Sequence, residues 1–589
     1  MKVVPPEVEA SSVSEGRPAG RRNAAGWLVL ACYLLVAVIL TLRLWIDPAG
    51  RVQVGDPHDA DLFAWYIRYA ATAVSHGRLP ALITTSLNQP QGVSLMWNTS
   101  LLLPGVLLTP VTLLAGPQVS LTLALTLGFA GSAASLYWVL RRWGASMGAA
   151  ALGGAVYGFS PALINSGIGH YHLVLAVALP LMIDALLRIV TGRGHWAWAG
   201  AWLGLLASAQ VFISEEMLID TALAGLVLVV TLAASRPRAV AARLRPAALG
   251  LATAAAVFLV LCGHALLLQV HGPLHEHSVL LGPWTGDTSF FVDPTGTALL
   301  HTPGGAAAAV NFPLGPPEAL AYLGWPLLAV LVAAAVRYWR DPRVRAGAVV
   351  FLAMELCSLG GGSQPFAPGW LLPWHWLQGL PAMAQVLPDR FAIPADGAAA
   401  AVLAFAVDLA LDRARRTAPG ARGWRPAVPV AVAVLAVLPL VPLPYQAAPL
   451  PAVPAGWQAA FTRLRLAPRA RVLVVPIANV GHTQAMRWQA DTGQPAAMIG
   501  GYFLGPNRTG QATFDPGPAR YADKYVDWLW DGKKHANAST VAQIRPAVAS
   551  WRPAAVIADT RPGSGLGRVL IRLFGPPSFR IGAVLVWRR

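Results

Sequence analysis

Three carboxylates stand close together in Val54-Gly55-Asp56-Pro57-His58-Asp59-Ala60-Asp61, directly after the first apolar run of membrane length. Acid groups at such a point sit on a membrane-water boundary, where a metal, a phosphate or a sugar hydroxyl can be held close to lipid. Asp59-Ala60-Asp61 is also literally Asp-x-Asp, a tripeptide common by chance that gains weight here from its position. The bland alternative is a solvated loop that caps the following helix, with Asp61 before Leu62 as the N-cap. Further along, His170 and His172 flank Tyr171, and Glu215 and Glu216 are adjacent. On a helix the two glutamates point about 100° apart, so at most one faces a shared cavity. His271, His275, Glu276 and His277 have the composition of a metal cluster, but their Gly/Pro-rich stretch matches no zinc spacing.

The elements that carry these residues are mostly membrane. Of 589 residues, 55% are hydrophobic and only 12% charged, against about 25% charged in an ordinary soluble domain. A net charge of +17 would suggest nucleic acid for a soluble protein. Here the arginines fall in short clusters between apolar runs, so they report topology and no nucleic-acid partner. Cys32, Cys262 and Cys357 lie in or at the end of apolar segments, which implies neither a disulfide framework nor a metal site.

Residues 1–24 read as a cytoplasmic N-terminal tail, and 25–445 as an α-helical polytopic membrane domain of about 11 to 12 membrane helices in the plasma (inner) membrane. The run from Gly26 to Ile46 is an uncleaved first helix, followed by an external first loop, 47–97. Within that loop Leu62 to Ser75 has the spacing of an amphipathic helix lying in the interface. Placing every later arginine cluster inside requires the pair of segments from 98 to 140 to make one net crossing. The Pro-containing piece Leu101 to Ala115 is then re-entrant, interfacial or broken. On that map Asp56, Asp59, Asp61, His170, His172, Glu215, Glu216, the loop 271–318, Gly360 to Arg390 and the chain after about Pro444 share the outer face. The cytoplasmic loops are short and basic and carry no Gly-rich phosphate cradle, which argues against handling of ATP or a nucleotide sugar there.

Residues 446–589 change character. Arg471 to Ile477, Ala554 to Ala558 and Ile581 to Trp587 read as buried strands and Thr540 to Ser550 as a helix, so a small extracytoplasmic α/β domain is expected. Tyr521, Tyr525, Trp528 and Trp530 are a sugar-stacking surface or, with about twice the weight, packed core.

This order of tail, helix, acidic external loop, in-plane helix, further helices and external C-terminal domain resembles the GT-C membrane glycosyltransferases. Gly55-Asp56, Asp59, Trp65, the Gln89-Pro-Gln-Gly-Val93 turn, Phe159-Ser-Pro161 with Gly169-His170, and Asp389-Arg390-Phe391 are similar to the pattern of a bacterial branch. Gln489, Gly493-Gln-Pro495 and Gly500-Gly-Tyr502 belong to the same pattern. The resemblance implies transfer of a sugar from a polyprenyl-phosphate donor to a glycan, lipid or protein acceptor of the cell envelope. It also implies that an acid of the first external loop acts as general base or helps hold a divalent metal, Mg or Mn, at the donor phosphate. Asp56, Asp59 and Asp61 occupy that place, with Asp59 ahead of Asp56 as base and Asp59 with Asp61 as metal ligands. Arg390, Arg68 and Arg78 are cations suited to the phosphate, and His170, His172 and Glu215 candidates for the substrate cavity. For Arg390 the bland reading is an ion pair with Asp389 or Asp396. Two other classes stay open: a transporter or flippase of lipid-linked glycans, and a noncatalytic membrane assembly protein.

Overall fold

The computed structural model describes residues 19–276, 286–312, 314–380, 383, 385–417, 427–467, 470–515, 520–535 and 537–589, so His277 lies outside the described residues. Among the described residues, six helices are long and apolar enough to cross a membrane: Ala24–Trp45, Pro117–Arg142, Met147–Ser166, Glu215–Ser235, Leu244–His271 and Pro388–Arg416. Gly324–Tyr338 and Ala427–Leu440 are shorter apolar helices. Ala178–Thr191, Trp196–Val211 and Pro342–Ser358 have 14, 16 and 17 residues, short of the ~20 that a straight crossing takes. The chain is a multi-pass membrane protein built on these helices.

The first helix shows why they pack as they do. Tyr33, Ala37, Leu40 and Leu44 recur at three- and four-residue spacing and are buried, while Trp27, Leu28, Leu35 and Leu42 face outward. Small residues let neighbours close to backbone contact: a Cβ on Gly158 would stand 2.4 Å from the Ala133 nitrogen of Pro117–Arg142. The piece between 101 and 115 is broken, one of the three forms the arginine pattern leaves open. It forms Leu102–Leu107 and Thr109–Ala115, each only about 10 Å long at 1.5 Å per residue.

The first-loop helix is longer than its periodicity suggests and is not an open interfacial helix. It runs Pro57–Ser75, starts on Asp56 and buries every residue from Ala60 to Ile67. The two short helices cover one side and the C-terminal helix Gln484–Asp491 covers another. Asp61, Trp65 and Arg68 on this helix are therefore satisfied inside the protein. Asp61 accepts from Arg487 Nε at 2.9 Å and Thr483 Oγ1 at 2.8 Å, and Arg487 also donates to Gln118 Oε1 at 2.8 Å. Trp65 Nε1 donates to Gln489 Oε1 at 2.6 Å. Arg68 Nε donates to the Ala490 carbonyl at 2.8 Å.

The C-terminal region holds a five-stranded sheet in the order Phe579–Ile581, Val584–Arg588, Ala555–Asp559, Arg471–Val475, Ala497–Met498. The last two pairings are parallel and the first two antiparallel. The expected strand from 581 to 587 is a hairpin instead, turned at Gly582, whose φ is +54°. Alternation divides the sheet between two cores. Val472, Val474, Ile557, Val584 and Val586 join the core continuous with the membrane helices. Leu473, Val475, Val556, Ala558, Leu585 and Trp587 pack under Arg520–Trp530, Ala538–Ser550 and Gly565–Phe574. The expected helix from Thr540 to Ser550 is present as Ala538–Ser550. Ala447–Pro449, just past the expected boundary, pairs with Arg51–Gln53 and so belongs structurally to the first loop.

Arg487 is 1% exposed and holds a buried carboxylate. Arg487→Ala should lower stability by about 3–5 kcal/mol because Asp61 is left charged and unpaired. Asp61→Asn in the same chain should restore part of that loss, read as the thermal midpoint of the detergent-solubilised protein.

Candidate active site

Two loops position the acid group. Gly55 and Gly169 adopt φ of +136° and +123°, which L side chains rarely take. A Cβ on Gly55 would meet Ile168 Cγ2 at 2.1 Å, and one on Gly169 would meet Asp56 Cβ at 2.9 Å. The close approach of these loops sets His170 beside the start of the first-loop helix. Asp56, not Asp61, is the N-cap: its Oδ1 accepts from the His58 and Asp59 amides at 3.1 and 3.2 Å.

Behind Asp59 runs a chain of alternating charge. Asp59 Oδ2 is 3.3 Å from His170 Nε2, and His170 Nδ1 is 3.3 Å from Glu318 Oε1. Arg390 donates to Glu318 from Nε at 3.3 Å and from a terminal nitrogen, and its other terminal nitrogen pairs with Glu216. The second Glu216 oxygen accepts the Leu387 amide at 2.6 Å. The other Asp59 oxygen accepts the hydroxyl of Tyr502, from the C-terminal region, at 2.8 Å. Glu318 is held in place through Asn165, whose amide donates to the next carbonyl, that of Ala319.

Burial and neighbours tune these groups. Burial and the adjacent Asp59 push Asp56 up to about 6. Burial would raise Glu318, but Arg390 and His170 outweigh it and hold the carboxyl at about 2. Burial alone would lower His170, yet Glu318 and Asp59 raise it above the usual imidazole value. His172 goes the other way: burial, Arg390 and His170 hold it well below that value, so it packs neutral against the rings of Phe63 and His170.

Several candidates are thus relocated. Asp61 is turned away from the acid group, because residues two apart on a helix point about 200° from each other, and Arg487 takes it. The paired metal reading of Asp59 with Asp61 is replaced by Asp56, Asp59 and His170, whose ligand atoms lie within 4.8 Å of one another. That donor set fits a divalent cation, and Glu318 behind His170 supplies the outer carboxylate that commonly orients a ligating imidazole. Arg390 pairs with Glu216 and Glu318 rather than Asp389 or Asp396. Of the adjacent glutamates Glu216 faces the chain, whereas Glu215 accepts from Gln269 Nε2 at 2.7 Å outside it. Arg68 is committed to the C-terminal region, and Arg78 is exposed. His275 bonds the Gly272 carbonyl, and no metal-capable group forms around it among the described residues. Tyr525 is core, Trp528 is half-buried, and Tyr521 and Trp530 are exposed.

Glu318 and Tyr66 carry no sequence signal that singles them out. The Tyr66 hydroxyl, two helical turns beyond Asp59, is buried with no hydrogen-bond partner among the described residues. Tyr502 is visible in the sequence only as the end of Gly500-Gly-Tyr502. A largely apolar slot of about 270 Å³ opens among the membrane helices, lined by Leu136, Tyr157, Leu179, Ile183, Val350 and Phe405. Its lining also includes Pro394 and Thr221, one turn or so from Arg390 and Glu216 on their helices.

Two outcomes follow from this geometry. Mn²⁺ added to the purified protein should lose affinity on Asp56→Asn or His170→Ala and keep it on Asp61→Asn, by electron paramagnetic resonance. Stability contributed by protonated His170 is complete below about pH 6.5, the free imidazole value, and is lost as pH rises through its raised folded value. Glu318→Gln should bring that loss to lower pH, seen as a shifted His170 titration by NMR; an unmoved titration would refute the coupling.

No family model and no curated protein matches the chain. Solved structures of similar fold include the arabinofuranosyltransferase AftD from Mycobacteria, at TM-scores of 0.52 and 0.53 and 15% identity. In the second of these, 99% of this chain aligns with 42% of the other, so the chain spans about two fifths of that protein. ArnT from Cupriavidus metallidurans bound to undecaprenyl phosphate matches at 0.45 and 13% identity over 96% of this chain and 98% of that one. The oligosaccharyltransferase AglB from Archaeoglobus fulgidus, in complex with an inhibitory peptide and a dolichol-phosphate, matches at 0.44 and 12% identity, over 91% and 70%. The chain has the fold of the GT-C membrane glycosyltransferases.

Proposed function

We propose that the protein is a membrane glycosyltransferase that moves a sugar from a polyprenyl-phosphate donor to a cell-envelope acceptor on the outer face of the plasma membrane. The observation that carries this reading is the cluster of Asp56, Asp59 and His170 at the start of the first-loop helix, within a domain of membrane helices. The relatives of this fold include one bound to undecaprenyl phosphate and one to a dolichol-phosphate, which is in keeping with a lipid-linked donor. On this reading the first loop and the C-terminal region are extracytoplasmic and the N-terminus cytoplasmic.

The chemistry asks little beyond a base and charge neutralisation. A phosphate monoester of a polyprenol is a good leaving group, so the acceptor must mainly lose a proton as it attacks. Asp56 is the better placed base. Among the described residues its hydrogen bonds reach only Oδ1, leaving Oδ2 for an acceptor hydroxyl. Its value of about 6 also stands near a neutral working pH. Asp59 is the fixed partner, one oxygen on His170 and the other on Tyr502. As the new bond forms at the anomeric carbon, the bond to the phosphate oxygen breaks and polyprenyl phosphate departs with the electron pair. A divalent cation, were it held by Asp56, Asp59 and His170, would supply positive charge for that phosphate.

Purified protein in lipid nanodiscs, given a synthetic polyprenyl-phosphate sugar and extracted envelope acceptors, tests this. Asp56→Asn should cut transfer by about 10²- to 10⁴-fold without loss of folding. Asp61→Asn should change stability far more than turnover. Undiminished transfer in Asp56→Asn and Asp59→Asn alike would overturn the assignment.

A further inference from the structure

We propose that the apolar slot among the membrane helices holds one acyl chain of an anionic glycerophospholipid, whose phosphate sits at the end of the slot farthest from the acid cluster. Each helix around the slot gives it one stripe of side chains. On Glu215–Ser235 the stripe is Thr221, Ala224, Leu228 and Leu232, at three- and four-residue spacing, and Arg236 follows at the mouth. From Thr221 to Arg236 is about 22 Å at 1.5 Å per residue, most of the ~30 Å hydrocarbon core. On Pro388–Arg416 the stripe runs from Pro394 to Phe405. The slot is thus long and narrow, the shape of one extended chain.

Its two ends differ in charge. Arg193, Arg236 and Arg343 line one end, each at or just beyond the terminus of a membrane helix. Arg343 is held in place: it donates to Asp341 from Nε at 3.1 Å and from a terminal nitrogen at 2.9 Å, and its guanidinium lies 4.5 Å from the centroid of the Phe405 ring. Arg193 and Arg236 are exposed and form no ion pair among the described residues. A Cβ on Gly192 would stand 2.6 Å from a terminal nitrogen of Arg243, so a fourth guanidinium lies beside Arg193. Trp143 lines the same end and donates its indole N–H to Asp184 at 3.0 Å, as aromatic side chains do where hydrocarbon gives way to headgroups. At the other end the lining stops at Thr221 and Pro394. Arg390, one turn from Pro394, is already paired with Glu216 and Glu318.

A phosphate therefore belongs at the arginine end. A donor lipid whose phosphate must reach Asp56 and Asp59 would lie the wrong way round. Guanidinium forks suit phosphate oxygens, and basic side chains near a membrane surface favour anionic headgroups over zwitterionic ones. A polyprenyl tail is longer and carries a methyl branch on every unit, so a straight acyl chain fits this length better. The second chain of the lipid stays in the bilayer. A seated chain also gives the walls of the slot contact atoms that an empty void would deny them. On the orientation proposed above, the lipid comes from the inner leaflet, and its site is separate from the transfer reaction.

Native mass spectrometry of the full-length protein, released from detergent micelles and titrated with dioleoylphosphatidylglycerol or dioleoylphosphatidylcholine, tests the site. Wild-type protein should bind the phosphatidylglycerol about tenfold more tightly. Arg193→Gln combined with Arg236→Gln should remove most of that preference, whereas Arg193→Lys combined with Arg236→Lys should keep it. Leu228→Trp, which fills the slot and leaves the arginines, should weaken binding of both lipids. Equal binding of the two lipids by wild type, a preference unchanged by the glutamine pair, or binding unweakened by Leu228→Trp would overturn the proposal. So would displacement of bound phosphatidylglycerol by equimolar undecaprenyl phosphate, since the slot would then be the donor's. These are binding constants, so loss of the transferase reading would leave them as they are.

Discussion

The arrangement depends on keeping five charged side chains together where water is scarce. Asp59, His170, Glu318, Arg390 and Glu216 alternate in sign, and each is paired with its neighbours in the series. Removing any one would leave a charge without its counterpart in a medium that solvates charge poorly. The series ties five separate parts of the chain to one point: the first-loop helix, the loop before Tyr171–Val174, the turn Pro316–Glu318, and the starts of the helices Pro388–Arg416 and Glu215–Ser235. Packing of the surrounding apolar helices is adaptable, but these electrostatic contacts fix where their ends meet.

A second constraint comes from the C-terminal region, which forms part of the site. Its helix Gln484–Asp491 supplies Arg487, Gln489 and the Ala490 carbonyl to the first-loop helix, and the segment after it supplies Tyr502. Because one face of its sheet belongs to the core of the membrane helices, it has no independent interface to slide upon. The carboxylates are therefore held between two bodies that share one interior.

Much of this was legible in the sequence because it follows from solvent. Apolar length located the membrane helices, and the arginine clusters singled out the piece from Leu101 to Ala115, which is broken near 108. Strand alternation found the C-terminal sheet. The acid loop was visible from its place after the first helix, and the islands of resemblance turn out to be neighbours: Trp65 bonds Gln489, Gln89 bonds Met498, and Gly169 abuts Asp56. Partners separated by hundreds of residues were not legible. Nothing local says that Asp61 will be claimed by Arg487 at a separation of 426, nor that Arg390 will choose Glu318 over its own neighbour Asp389. Adjacent acids such as Glu215 and Glu216 looked alike, and only the orientation of their helix distinguishes them.

The short pairing of Arg51–Gln53 with Ala447–Pro449 bears on how the molecule comes into being. A ribosome delivers the first strand long before its mate, so the loop carrying the acids spends most of synthesis incomplete. Until the last quarter of the polypeptide emerges, Asp61 lacks its guanidinium and Asp59 its phenol. Assembly of the acid cluster is thus a closing event, and a nascent chain stopped short would leave the first-loop helix without its cover.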